Sequence, residues 1–211
     1  MVGVNNARPV GLAHWLKSFS QWVGWLLVIA GGLVLIGWAL AVEPLKRVFP
    51  GFVAMNPVTA VGFIIGGASL FCFWLKEKFP MPAFMGGQVL AGLLVALGIV
   101  KLCEYELGWH WSFDQVFFQN QIQHEAELYN HASLPNQIAP NTAFNFLIGG
   151  FALWALNSHR RRFSGLAQNL SLILLFISLV PLAGYAYRSS YLYSIGSYIP
   201  MALHKIGRAH V

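Results

Sequence analysis

Apolar residues predominate through five stretches of this chain, about 21–42, 57–75, 86–107, 141–157 and 168–187, and a sixth run opens near Tyr198. Each full stretch is long enough for a helix to cross roughly 30 Å of hydrocarbon. The runs are continuous rather than alternating, which favours helices over strands. In lipid only helices and closed barrels satisfy every backbone N–H and C=O. The pattern predicts an all-α, polytopic transmembrane helix bundle over 21–204, preceded by a short N-terminal segment, 1–20.

Two of the runs repeat each other. Residues 57–70 read PVTAVGFIIGGASL and residues 140–153 read PNTAFNFLIGGFAL, with eight identities in fourteen positions. An even number of crossings separates them, so they run in the same direction. The chain is therefore expected to hold parallel internal helix-pair repeats. Pro57 and Pro140 suit the first helical turn, where a missing N–H costs nothing. Asn56 is placed to cap the first copy, and Asn141 and Thr142 lie near the start of the second. Gly66, Gly67, Gly149 and Gly150 fall mid-span, where small residues let helices approach. They are expected to serve helix packing and to form the faces of a homodimer. Pro181 is expected to kink the fifth run.

Composition narrows the picture further. The chain is 57% hydrophobic and 9% charged, against about 25% charged in soluble domains. That excludes a water-soluble enzyme and makes the lipid bilayer the first partner. The net charge of +6 raises nucleic acid as a partner, but the basic residues are arranged by membrane side. Arg8, Lys17, Lys76, Lys78 and Arg160, Arg161 and Arg162 fall on one side if the spans alternate, with Lys46 and Arg47 opposed. The positive-inside tendency then puts the N-terminus in the cytoplasm, and no nucleic-acid role is expected. Cys72 and Cys103 are expected at opposite faces, too far apart for a disulfide.

Candidate chemistry is sparse. There is no Gly-rich phosphate loop, CxxC or HExxH. No histidine lies centrally in a span, so a haem is not expected, nor any other cofactor. Lys101 and Glu104 stand three apart on one helix and can pair. The connection 108–139 carries Asp114, His124, Glu125, Glu127 and His131, but with no metal-site spacing. It reads as a solvated acidic loop without a metal. Tyr185 belongs to a group of tyrosines near the end of the fifth run. The last residues read IGRAHV, as would a translated sequencing adapter, so 205–211 are expected to be a non-native tail on a truncated chain.

The order MNPVTAVGFIIGGASLF, KLCEYELG, SFDQVFF, APNTAFNFLIGGFALW and YIPMALH resembles an N-terminal multi-pass membrane module of bacterial PAS-containing sensor histidine kinases and related signalling proteins. The resemblance implies a sensory input module in the bacterial inner membrane, with the kinase core outside this chain. It implies that Glu104, Tyr105 and Asp114 match recurrent family positions; with Tyr185 they are the ligand-binding candidates. No residue is expected to be catalytic. A small transporter or channel and a passive anchor or dimerisation platform are the alternatives.

Overall fold

A computed structural model describes residues 10–47, 54–107, 113–128, 136–158 and 162–186. All regular structure among them is helical: α1 (Val10–Ala39), α2 (Glu43–Lys46), α3 (Pro57–Leu75), α4 (Pro80–Leu107), a 3-10 turn (Phe113–Gln115), α5 (Gln119–Leu128), α6 (Pro140–Asn157) and α7 (Arg162–Ala186). The expected runs each lie on one of the five long helices. Helix α7 continues through Pro181. The sixth run and the tail lie outside the described residues.

Four segments are long and apolar enough to cross a membrane: Ser18–Ala39, Pro57–Leu75, Pro80–Leu107 and Phe163–Val180, with mean hydropathy from 1.9 to 2.1. Their outer faces carry large apolar side chains, among them Trp22, Leu26, Leu93 and Phe176. So much exposed apolar surface suits lipid and not water. The expected span at 141–157 forms as α6 but is not among these four. Pro140, Asn141, Asn145 and Asn157 lower its hydropathy. Two of those side chains donate within the bundle: Asn145 to Ser178 Oγ at 3.3 Å and Asn157 to Ser69 Oγ at 3.2 Å. Protein surrounds α6 on several sides, because it packs on α3, α4 and α7.

The remaining packing follows chain order, α1 on α3, α3 on α4, α4 on α6 and α6 on α7. Two of these pairs are built alike. A Cβ at Gly67 of α3 would meet Gly24 O at 2.7 Å and Val28 Cγ2 at 2.8 Å in α1. A Cβ at Gly150 of α6 would meet Ala91 O at 3.0 Å and Val95 Cγ2 at 2.6 Å in α4. In the other direction, a Cβ at Gly31 would meet Ala60 O at 2.5 Å, and one at Gly98 would meet Ala143 O at 2.8 Å. Backbones this close leave no room for a side chain, which is why glycine stands at these positions. Gly66 has only Leu94 Cδ2 nearby, at 3.8 Å, and Gly149 has Leu174 Cδ1 at 3.0 Å. Within each Gly-Gly pair the second residue makes the tight contact with backbone.

Helix α1 ends in a Schellman turn. Val42 N–H donates to Gly37 O at 2.9 Å and Ala41 N–H to Trp38 O at 3.4 Å. Ala41 sits at φ 54°, the left-handed position that usually takes glycine. Ala41→Gly is expected to stabilise the bundle by about 1 kcal/mol, read by reversible unfolding in mixed micelles.

Candidate functional site

The end of α1 and α4 and the start of α3 and α6 meet at one end of the bundle, here called the capped end. Each helix pair closes there with an aromatic side chain bonded to the chain just before the returning helix. Trp38 Nε1 donates to Met55 O at 2.8 Å, and the Tyr105 hydroxyl donates to Ile138 O. Each ring also carries a lysine over its face: Lys46 Nζ lies 4.6 Å from the Trp38 ring, and Lys101 Nζ lies 4.7 Å from the Tyr105 ring. Such cation–π contacts stabilise a desolvated ammonium.

Lys101 is the centre of the second joint. It is 1% exposed and lies in the last two turns of α4. Its Nζ donates to Glu104 Oε1 at 3.0 Å and to Asp114 Oδ2. The first contact is the helical pairing expected from the sequence. The second comes from the 3-10 turn, outside the helix. Asp114 Oδ2 also accepts from Ile138 N–H at 3.1 Å, which ties the turn to the lead-in of α6. Burial pushes the Asp114 carboxyl above its ordinary value, opposed by Lys101 and the Ile138 N–H. Glu104 Oε2 and Asp114 Oδ1 are buried without a hydrogen-bond partner.

Asparagines hold the surrounding backbone. Asn56 Oδ1 accepts from Val58 N–H at 2.8 Å, the expected cap of α3. Its amide donates to Asn136 O at 2.8 Å and to Asp114 O at 3.4 Å. Asn136 in turn donates to Ala54 O at 2.8 Å. One side chain therefore joins a helix start to both segments that carry the charged joint. Asn56→Ala is expected to cost about 1–2 kcal/mol through the lost cap and the stranded carbonyls, measured by the same unfolding titration.

The reading of 108–139 as a solvated acidic loop is corrected at three of its described residues. Asp114, Ile122 and Ile138 are each at most 1% exposed. Ile122 of α5 joins Val34, Trp38, Ala54 and Ala60 in a buried apolar cluster, with Phe118 packed against it. The Phe118 ring stacks on Trp38 with centroids 6.4 Å apart. The signal for this was present in the sequence as isolated apolar residues, Phe118 and Ile122, within a polar stretch. The charge count of the segment obscured it.

The structure thus brings Glu104, Tyr105 and Asp114 to one joint with Lys101. The side chain of Tyr185 lies outside the described residues, as do His110 and His131. Among the described residues no three His, Cys, Asp or Glu side chains are grouped to hold a metal ion. Cys72 and Cys103 are free. A second polar group, not foreseen from the sequence, lies at the other end of α3, α4 and α6. There Asn157 donates to Ser69, Ser69 Oγ donates to Gly87 O at 3.3 Å, and Lys76 Nζ donates to Asn157 O. A Cβ at Gly87 would strike Asn157 Oδ1 at 2.5 Å. Comparison of the chain with protein-family models, with curated proteins and with solved structures returned no match.

Proposed function

We propose that this chain is the membrane-embedded sensory input module of a bacterial signal-transduction protein, in the manner of the sensor histidine kinases it resembles. The bundle is two parallel helix-pair repeats, α1 with α3 and α4 with α6. It sits in the inner membrane with the N-terminus in the cytoplasm and the capped end outside. The stimulus acts at Lys101, Glu104, Tyr105 and Asp114, and the output domain lies beyond this chain. Homodimerisation uses small-residue faces; Gly32 and Gly92 have nothing within 4 Å of an added Cβ.

The observation that carries the reading is the buried ion triad at one joint of two otherwise matched pairs. Ionisable side chains at the edge of a membrane span are costly and mark functional positions. The matched contacts of Gly67 with Gly150, Gly31 with Gly98 and Trp38 with Tyr105 support the duplication. A shift between two bundle packings, biased by the stimulus, would carry the signal.

The test joins the chain to a kinase core and measures autophosphorylation in membrane vesicles. Exchanging 113–139 for the short connection of the first joint is expected to change the output. If that exchange leaves phosphorylation unaltered under every external condition applied, the sensory reading fails. The buried triad also favours a second reading, a small transporter that uses the charges as a carrier site; solute flux in proteoliposomes decides it.

A further inference from the structure

The two joints differ in where the buried lysine comes from, α2 at the first and α4 at the second. Spacing from the shared contacts puts Val34 and Gly37 of α1 where Lys101 and Glu104 stand in α4. Val34 packs into the apolar cluster under Trp38. Gly37 lets α2 approach so closely that an added Cβ would lie 2.7 Å from Leu45 Cβ. The same architecture is therefore built once without buried charge along the helix. Packing alone does not call for the triad, and an ion triad in its place carries a desolvation cost of several kcal/mol.

The triad is also unbalanced. Two carboxylates face one ammonium, so the fully ionised group carries one excess negative charge. Glu104 Oε2 and the fully buried Asp114's Oδ1 have no partner. Among the described residues no cation other than Lys101 is paired with either carboxylate. Helix α4 contributes Lys101, Glu104 and the Tyr105 hydroxyl, the last committed to Ile138 O. The lead-ins to α3 and α6 contribute only the amides of Asn56 and Asn136 and the Ile138 N–H. Lys46 is bonded to Glu43 at the other joint.

We infer that this triad is a proton-binding site, in which one proton taken on Oδ1 of Asp114 brings Lys101, Glu104 and Asp114 to neutrality. The inference rests on the capped end being the input site and names its ligand. A proton fits where a metal ion does not, because it needs one oxygen rather than a shell of ligands. Its uptake forms one O–H bond and breaks none in the chain. Lys101 stays with Glu104, and Oδ1, which accepts no hydrogen bond as the carboxylate, gains the proton. Burial favours the neutral form of Asp114. The stability this contributes is complete below the ordinary carboxylate value and is lost as pH rises through the raised one.

Asp114 is the only aspartate in the sequence. Aspartate labelled with 13C at its side-chain carboxyl therefore reports this group alone, with no substitution. Infrared difference spectra of the labelled chain in nanodiscs, taken between about pH 4 and pH 9, are expected to show an isotope-shifted band of a protonated carboxyl. The band should titrate above the ordinary aspartate value and vanish in Asp114→Asn, while Glu106→Gln, at an exposed position, leaves it unchanged. A carboxyl that is ionised throughout this range overturns the proposal. So does a tenfold or larger shift of the midpoint when sodium replaces a bulky organic cation, which would mark a sodium site. The measurement needs no output domain. Titration of Asp114 with an unresponsive kinase fusion would sink the sensory reading alone, and a responsive fusion with a silent Asp114 would sink the proton alone.

Discussion

Lys101→Met is expected to destabilise the bundle by about 3–5 kcal/mol, the largest effect of any single change here. The substitution removes a buried charge and leaves two others behind. Glu104 and Asp114 would lose their shared ammonium while still enclosed, and an uncompensated buried carboxylate costs more than the ion pair ever contributed. The turn Phe113–Gln115 would also lose its tie to α4. Restoring neutrality should restore most of the stability: the triple variant Lys101→Met, Glu104→Gln, Asp114→Asn is expected within about 1–2 kcal/mol of the native chain, as buried ion groups replaced by neutral ones often are. Val34 fills the matching helix position at the first joint, where the buried ammonium, Lys46, comes from α2 instead. Unfolding titrations of the single and triple variants, set in a mutant cycle, check this. A single Lys101→Met that unfolds with native stability would remove the ion triad from the account.

Gly67→Leu is expected to cost about 3 kcal/mol or more, whereas Gly66→Ala, one position away, is expected to be neutral or to stabilise by up to about 1 kcal/mol. At Gly67 the new atoms meet Gly24 O and Val28 Cγ2 closer than any van der Waals contact allows, so α1 must move off α3. Overpacking of this kind typically costs 1–3 kcal/mol for smaller additions. At Gly66 an added methyl meets only Leu94 Cδ2 at an ordinary distance, and alanine is the better helix former. Gly150 should behave like Gly67, since Val95 and the Ala91 carbonyl stand in the same relation to it. Helix–helix crosslinking between α1 and α3, together with the unfolding midpoint, separates the two outcomes.

Much of the fold was legible because its signals are local. The five apolar runs, the proline and asparagine at the start of α3, and the i, i+3 pairing of Lys101 with Glu104 depend on near neighbours. What escaped depends on residues distant in sequence. Nothing in SFDQ says that Asp114 returns to Lys101, and composition made 108–139 look solvated when Ile122 and Phe118 anchor part of it. The choice between Gly66 and Gly67 turns on helix rotation, which a Gly-Gly pair leaves undetermined. Glycines outside the repeated motif, Gly31, Gly87 and Gly98, make contacts as close, and only the partner helix reveals them, through its backbone at Gly31 and Gly98 and through the Asn157 side chain at Gly87. Hydropathy suggested that all five long runs were equal; the asparagines of α6 were visible, but their partners Ser69 and Ser178 were not.

That inequality bears on how the polypeptide is made. A segment with the polarity of α6 gains little by entering a bilayer by itself, because Asn145 and Asn157 would arrive without the serines that they donate to in the bundle. It gains more once Ser69 of α3 and Ser178 of α7 are there to receive those amides. If α6 enters a membrane, its insertion is therefore expected to depend on α3, which precedes it, and on α7, which follows it.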